Sequence, residues 1–198
     1  MGKTKKKPLE ELLQEMDKYD WSKVPDLRIN ESYEEHASEF FTYIIQKSNV
    51  VLEGSVLDIC SGSVSLASIH DDVVCFDLPE EIIKELRKKG IRAVMGDISE
   101  DLPFKAKSFD YVFASGIPML PYKRTDAPQE ADFHKKYVPE KVRNDKKYIE
   151  GLIKETIRVT RKKVIIASLP VVEYLPKKHV EKIEKINEWL VVYNKNKK

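Results

Sequence analysis

The stretch Ser55-Val56-Leu57-Asp58-Ile59-Cys60-Ser61-Gly62-Ser63 decides the fold class of this chain. Its first six residues form a short apolar run between Gly54 and Gly62, which reads as a buried strand opening onto a tight turn. Downstream the pattern repeats. Val73 to Asp77 is a second apolar run. Pro79 then suits the first position of a helix, where its missing N–H costs nothing. Glu80 and Glu81 in the first turn and Lys88 and Lys89 in the last complement the helix dipole, and Gly90 stops the helix. Ile91 to Met95 and Phe109 to Ser115 read as a third and a fourth strand, Lys146 to Thr160 as a helix, and Lys163 to Leu169 as a fifth strand. Apolar strands alternating with amphipathic helices imply parallel pairing. The predicted class is α/β, a doubly wound, mostly parallel sheet with helices on both faces.

Outside this core, Pro8 to Asp17 places Leu9, Leu12, Leu13 and Met16 on one helical face. Asp20 to Ile29 reads as a loop. A longer helix runs from a cap at Asn30 or Ser32 to about Ser48. These elements predict a helical cap over residues 1–49, ahead of the sheet-forming part, 50–198, the whole making one domain. A charged insertion falls at about 121–145. Near the C-terminus, Lys177 to Glu188 reads as a helix and Trp189 to Tyr193 as a short last strand.

A length of 198 residues suits one domain with a sizeable core. With 35 basic and 33 acidic residues, the chain lacks the global charge of a dedicated nucleic-acid binder. That balance conceals a split. Residues 50–120 carry 7 basic and 12 acidic side chains, and residues 121–198 carry 20 and 11. Two cysteines, Cys60 and Cys75, cannot form a disulfide framework and read as core thiols of a reducing cytosol. No apolar run reaches membrane-spanning length, and the charged N-terminus precedes no apolar signal region, so a cytoplasmic protein is expected.

In a doubly wound sheet, ligands sit beyond the carboxyl ends of the strands, at the point where strand order reverses. Asp58 and the Cys60–Val64 turn lie at the first such end, Asp77 at the second, Gly96-Asp97-Ile98 at the third and Ser115-Gly116 at the fourth. A carboxylate beside a glycine turn can take charge-assisted hydrogen bonds from sugar hydroxyls or an amine, and the glycine lets backbone approach the ligand. No metal-ligand spacing appears.

At these residues the chain resembles the class I S-adenosylmethionine-dependent methyltransferase family. Val56 to Ser63 is similar to the family's first motif, a strand followed by Asp-x-Gly-x-Gly-x-Gly. Asp77 falls where the family's ribose-binding acid ends the second strand. Gly96 to Phe104 resembles the adenine-binding segment, Lys107 to Val112 the entry to the fourth strand, and Ile157 to Ala167 the fifth-strand unit. The resemblance covers about residues 50–170. It implies the Rossmann-like methyltransferase fold and S-adenosylmethionine as cofactor. It also implies a cofactor site at Asp58, Cys60, Gly62, Asp77, Leu78, Asp97, Ile98 and Ser115.

The sequence departs from the family at two places. Cys60 and Val64 replace two of the three motif glycines. A valine where the family's helix begins adds bulk and removes freedom at positive φ. In addition, few residues follow Leu175, which predicts a sheet shortened at its C-terminal end.

Plainer roles stand beside these. Asp58 could cap a turn, and Asp77 could be a helix N-terminal acid. His36, His70 and His179 read as packing or surface residues, and His134 as a candidate for substrate contact. Met119 and Tyr122 could wall a pocket or fill the core. No catalytic side chain is identified. The functional readings are a methyltransferase acting on a small molecule or another acceptor, a methyltransferase-like binding module without catalysis, and an RNA-directed methyltransferase using the basic C-terminal half.

Overall fold

The computed structural model describes residues 6–24, 26, 31–98, 100–114, 146–167, 180–185 and 190–195. The sheet is built from β1 (Val56–Ile59), β2 (Val73–Asp77), β3 (Arg92–Met95), β4 (Phe109–Ala114), β5 (Thr160–Ala167), β6 (Val180–Lys185) and β7 (Leu190–Lys195). The helices are α1 (Leu9–Asp17), α2 (Glu31–Lys47), α3 (Glu80–Lys88) and α4 (Lys146–Val159). Strand order is β3-β2-β1-β4-β5-β7-β6, with the first five strands parallel and β7 antiparallel to both β5 and β6. The doubly wound α/β class is the one read from the alternation of strands and helices.

Strand periodicity divides the core into two layers. Leu57, Ile59, Val74, Phe76, Val112, Val164 and Ile166 face one side, where Leu12 of α1 and Leu152, Ile153 and Ile157 of α4 cover them. Val56, Cys75, Ala93, Tyr111, Phe113 and Ile165 face the other side, under Phe41 and Ile44 of α2 and Ile82, Ile83 and Leu86 of α3. Both faces are apolar, as a central parallel sheet requires.

Edge strand β3 is guarded. Residues ahead of α1 pair with the segment after β3, Lys7 N–H donating to Pro103 O at 2.7 Å and Lys105 N–H to Lys7 O at 3.3 Å. The Met16 sulfur of α1 lies 3.4 Å from the Met95 amide. Packing of α1 against β3 blunts an edge that would otherwise offer unpaired amides.

Four expectations are corrected. The sheet is not shortened, because β6 and β7 add an antiparallel pair beyond β5. The segment read as a helix over Lys177 to Glu188 contains β6 at 180–185. Val180 and Ile183, its only apolar residues, are three apart, which is helical spacing, and pairing with β7, through a register irregularity between Val180 and Lys182, overrides that local pattern. The last strand extends from Leu190 to Lys195, beyond the predicted Tyr193. Pro79 is the residue that caps α3 rather than its first turn.

Candidate nucleoside site at the strand ends

Because β1 to β4 run parallel, their carboxyl ends share one side of the sheet. Strand order reverses between β2 and β4 around β1, and the turn Cys60–Ser65 emerges at that point.

Two carboxylates hold this turn. Asp58 is fully buried, and its Oδ2 accepts the Leu66 N–H at 2.8 Å. Asp77 Oδ2 accepts the Gly62 N–H at 2.8 Å, and its Oδ1 accepts the Leu78 N–H, also at 2.8 Å. Cys60 N–H donates to Phe76 O at 2.8 Å, which ties the start of the turn to β2. Asp58 thus anchors the far end of the turn and Asp77 its middle. The bend itself needs two left-handed residues, Cys60 at φ 55° and Gly62 at φ 62°. Gly62 takes this conformation freely, while Cys60 takes it at a cost. Where the family's motif has its first glycine, this chain holds a strained cysteine.

Burial governs the electrostatics. It pushes the Asp58 carboxyl up to about 7; the Leu66 N–H opposes that rise and the charge of Asp77 adds to it. Burial raises Asp77 as well, against the hydrogen bonds from Gly62 and Leu78. Cys75, beside Asp58 in the β1–β2 register, is held as a neutral thiol at about 12, chiefly by burial. Among the described residues, no lysine, arginine or histidine pairs with Asp58 or Asp77.

Among the described residues, the buried Asp58 Oδ1 has no hydrogen-bond partner, and Ser61 Oγ has none beyond the neighbouring Cys75 thiol. Such atoms are rare in folded proteins and cost about 1–3 kcal/mol each when unsatisfied. Ser61 is a residue that sequence reading missed. Its only signal is its place inside the glycine turn.

The remaining sequence candidates divide. Asp58, Cys60, Gly62, Asp77 and Leu78 come together at the turn. Asp97 follows β3, stands exposed, and contributes charge felt at Cys60. The side chain of Ile98 packs into the first core layer with Leu102 and Phe104. Gly96 is spaced against Phe76, since a Cβ there would meet the ring at 2.6 Å. His70 Nε2 contacts Gly54 O at 2.9 Å, at the amino ends of the strands and away from the site. Ser115, Gly116, Met119, Tyr122, His134, His179 and the 121–145 insertion lie outside the described residues. So does the side chain of His36.

The concern over Val64 changes form. Val64 is not among the residues with positive φ, so it does not occupy a conformation that demands glycine. No α-helix begins there either. The β1–β2 crossover contains only the 3₁₀ turn Leu66–Ser68, capped by Ser65 Oγ accepting the Ala67 N–H at 3.0 Å. A cavity of about 250 Å³ lies along this short crossover, lined by Ser63, Val64 and Ser68 on one side and Lys89 and Ile91 on the other.

Comparison with known proteins agrees with this geometry. Residues 57–130 match the methyltransferase domain family. No curated protein matches the chain significantly. Among solved structures, the PH0226 protein from Pyrococcus horikoshii OT3 is 18% identical with a TM-score of 0.56, over 84% of this chain and 92% of that one. A S-adenosylmethionine-dependent methyltransferase, possibly a histamine N-methyltransferase, from Thermotoga maritima is 14% identical with a TM-score of 0.54, over 84% and 95%. Magnesium protoporphyrin IX methyltransferase from Synechocystis PCC 6803, solved with bound S-adenosylmethionine, is 11% identical with a TM-score of 0.53, over 89% of each chain. At these identities the likeness establishes the fold, which is the Rossmann-like fold of class I methyltransferases.

Proposed function

We propose that this chain is a S-adenosylmethionine-dependent methyltransferase. The observation that carries the reading is the turn after β1, held by Asp58 and Asp77 with no basic partner for either. A carboxylate has about four acceptor sites, so Asp77 keeps capacity for two ribose hydroxyls after taking two backbone N–H groups. The unpartnered Asp58 Oδ1 and the buried Ser61 Oγ fit a ligand carrying donors into the turn. Excess negative charge at the strand ends suits a cationic ligand.

When bound, S-adenosylmethionine supplies a sulfonium methyl carbon open to in-line displacement by an acceptor atom. The chain's residues orient and enclose. Asp77 fixes the ribose, Leu78 and the Asp97–Ile98 segment border the base, and the Cys60–Ser65 turn lies along the amino-acid part. Ser115, outside the described residues, is assigned to the methionine part by the family resemblance alone. Alignment of this kind supplies much of the rate of a displacement without a strong acid or base. We assign residues 1–49, whose helices also cover the sheet faces, a capping role, and the 121–145 insertion, outside the described residues, an acceptor-side role from the sequence alone. The acceptor is a small molecule or another nucleophile. The basic C-terminal half keeps RNA as a lesser alternative, through phosphate contacts.

One observation favours a second reading, a binding module without catalysis. A full helix after β1 would aim its positive end at an anionic group of the ligand, and here only a three-residue turn stands in that place. Calorimetry separates these readings. Micromolar binding of S-adenosylhomocysteine supports a cofactor site, and no binding at millimolar ligand overturns it. Methyl transfer from labelled cofactor to a small-molecule or RNA pool then divides enzyme from module.

A further inference from the structure

The mechanism above uses Asp77 directly but leaves Asp58 unexplained. Among the described residues its buried Oδ1 has no hydrogen-bond partner and no basic side chain compensates it. From β2, Asp77 and Cys75 face it. From β4, the neighbour in register is Phe113, which stacks edge-on against Phe41 of α2. From its own turn come Cys60, Ser61 and Ser65, and the charge of Asp97 after β3 is felt at Cys60. Every titratable group facing Asp58 among the described residues is an acid or a thiol. An ionised carboxylate at full burial with one oxygen unsatisfied is unfavourable, so such a group holds its proton until a positive charge arrives.

We infer that Asp58 is a specificity-determining residue, which holds a proton in the free protein and releases it when a sulfonium nucleoside enters the turn, so favouring the cationic methyl donor over its neutral-sulfur product. This rests on the cofactor reading above. The geometry is two carboxylates clasping one backbone turn, Asp58 at Leu66 and Asp77 at Gly62, with an orphaned oxygen on the buried member. A cation within the turn compensates Asp58 and removes its reason to stay neutral. Loss of the methyl group removes the sulfonium charge and leaves only the ammonium that both ligands share, so Asp58 takes back the share of its proton that the sulfonium displaced, and the product is held less tightly. The position of Asp58 near its own midpoint at neutral pH agrees.

Calorimetry on the intact chain tests this, with S-adenosylmethionine and S-adenosylhomocysteine each titrated between pH 6 and 8 in buffers of different ionisation enthalpy. Both ligands carry the same amino-acid group, so its own titration cancels in the comparison. The expected result is that affinity for the sulfonium rises about tenfold over this range, with net proton release, while affinity for the thioether rises much less. Asp58→Asn removes the difference in slope. Equal slopes for the two ligands, or a difference that survives in Asp58→Asn, overturn the inference while leaving the cofactor reading intact. Failure of the natural chain to bind either ligand overturns both. Should the variant not fold, the Asp58 carboxyl ¹³C resonance of the natural chain decides. A midpoint near neutral that drops on adding the sulfonium supports the inference, and an ordinary carboxylate midpoint overturns it.

Discussion

Asp58 and Asp110 lie on neighbouring strands at opposite ends of the same sheet, and their surroundings differ in kind. Asp110, early in β4, is wrapped by donors. Arg161 reaches it from both Nε and Nη2 at 3.1 Å, Lys162 lies 3.7 Å away, and Ser55 N–H donates to it at 3.2 Å. Partial burial works to raise its pKa, but those hydrogen bonds and positive charges outweigh it, and the net shift is downward. Asp58 has one backbone donor, no cation and a carboxyl raised to about 7. One end of the sheet spends its carboxylate on stability. The other keeps two carboxylates uncompensated, which is costly for the fold and useful for a ligand.

The largest effect is expected at the ligand end. Asp77→Ala removes the acceptor for the Gly62 and Leu78 amides and, on the proposed function, for the ribose. Loss of two charge-assisted hydrogen bonds corresponds to about 3 kcal/mol, roughly a hundredfold in affinity for S-adenosylhomocysteine. Asp110→Ala, by contrast, should leave that affinity within about twofold. If both variants bind equally well, the functional contrast between the two ends is broken.

The second effect runs opposite to intuition. A carboxyl raised from 3.8 to about 7 on folding contributes stability only while it is protonated. That contribution is complete below the unfolded value and is lost as pH rises through about 7. Asp58→Asn escapes the loss. It should stabilise the protein at pH 8 by on the order of 2–4 kcal/mol and change little at pH 4. Denaturant unfolding at the two pH values checks this, and a variant weaker than the natural chain at pH 8 contradicts the electrostatic picture. The sign reverses at Asp110, whose lowered pKa gives stability that is present at neutral pH and lost as pH falls through the folded value. Asp110→Asn should therefore cost about 1–2 kcal/mol at pH 7, shrinking toward acid. Chemical denaturation between pH 3 and 7 measures it.

The contrast between the two ends was only half legible in the sequence. Asp58, Gly62 and Asp77 could be found because strand ends and a glycine turn leave a pattern in apolar runs and spacing. The Asp110 cluster could not, because Arg161 and Ser55 are 51 and 55 residues distant and meet it only through strand pairing. Gly54 belongs to the same hidden set, since its φ of 98° and the nearness of Asp110, whose Oδ2 a Cβ would meet at 2.3 Å, follow from that packing. Ser61 was invisible for another reason, as a serine in a turn is ordinary until its hydroxyl proves buried with no partner beyond a thiol. The strand β6 was misread because its apolar residues, Val180 and Ile183, keep helical spacing, and only pairing with β7 overrides it. The crossover after β1 was read through the family's helix, although only thirteen residues, 60–72, separate β1 from β2.

That crossover gives the smallest expected effect and the sharpest use of the comparison. If the third motif glycine were needed for its backbone freedom, Val64→Gly would tighten cofactor binding. Yet the strained positions are Cys60 and Gly62, and Val64 instead packs against the second core layer, beside Leu66 and Ala67. Removing its side chain forfeits that contact and adds freedom to the unfolded chain, a cost of about 1 kcal/mol or less for a half-buried site. Affinity for S-adenosylhomocysteine should stay within about twofold, while the melting temperature falls by a few degrees. Cys60→Gly is the matching control, because it relieves a residue at φ 55° without loss of a β-branched contact. It should hold stability level or raise it slightly. A tenfold gain in affinity from Val64→Gly would instead make Val64, not Cys60, the residue of the crossover that limits the ligand site.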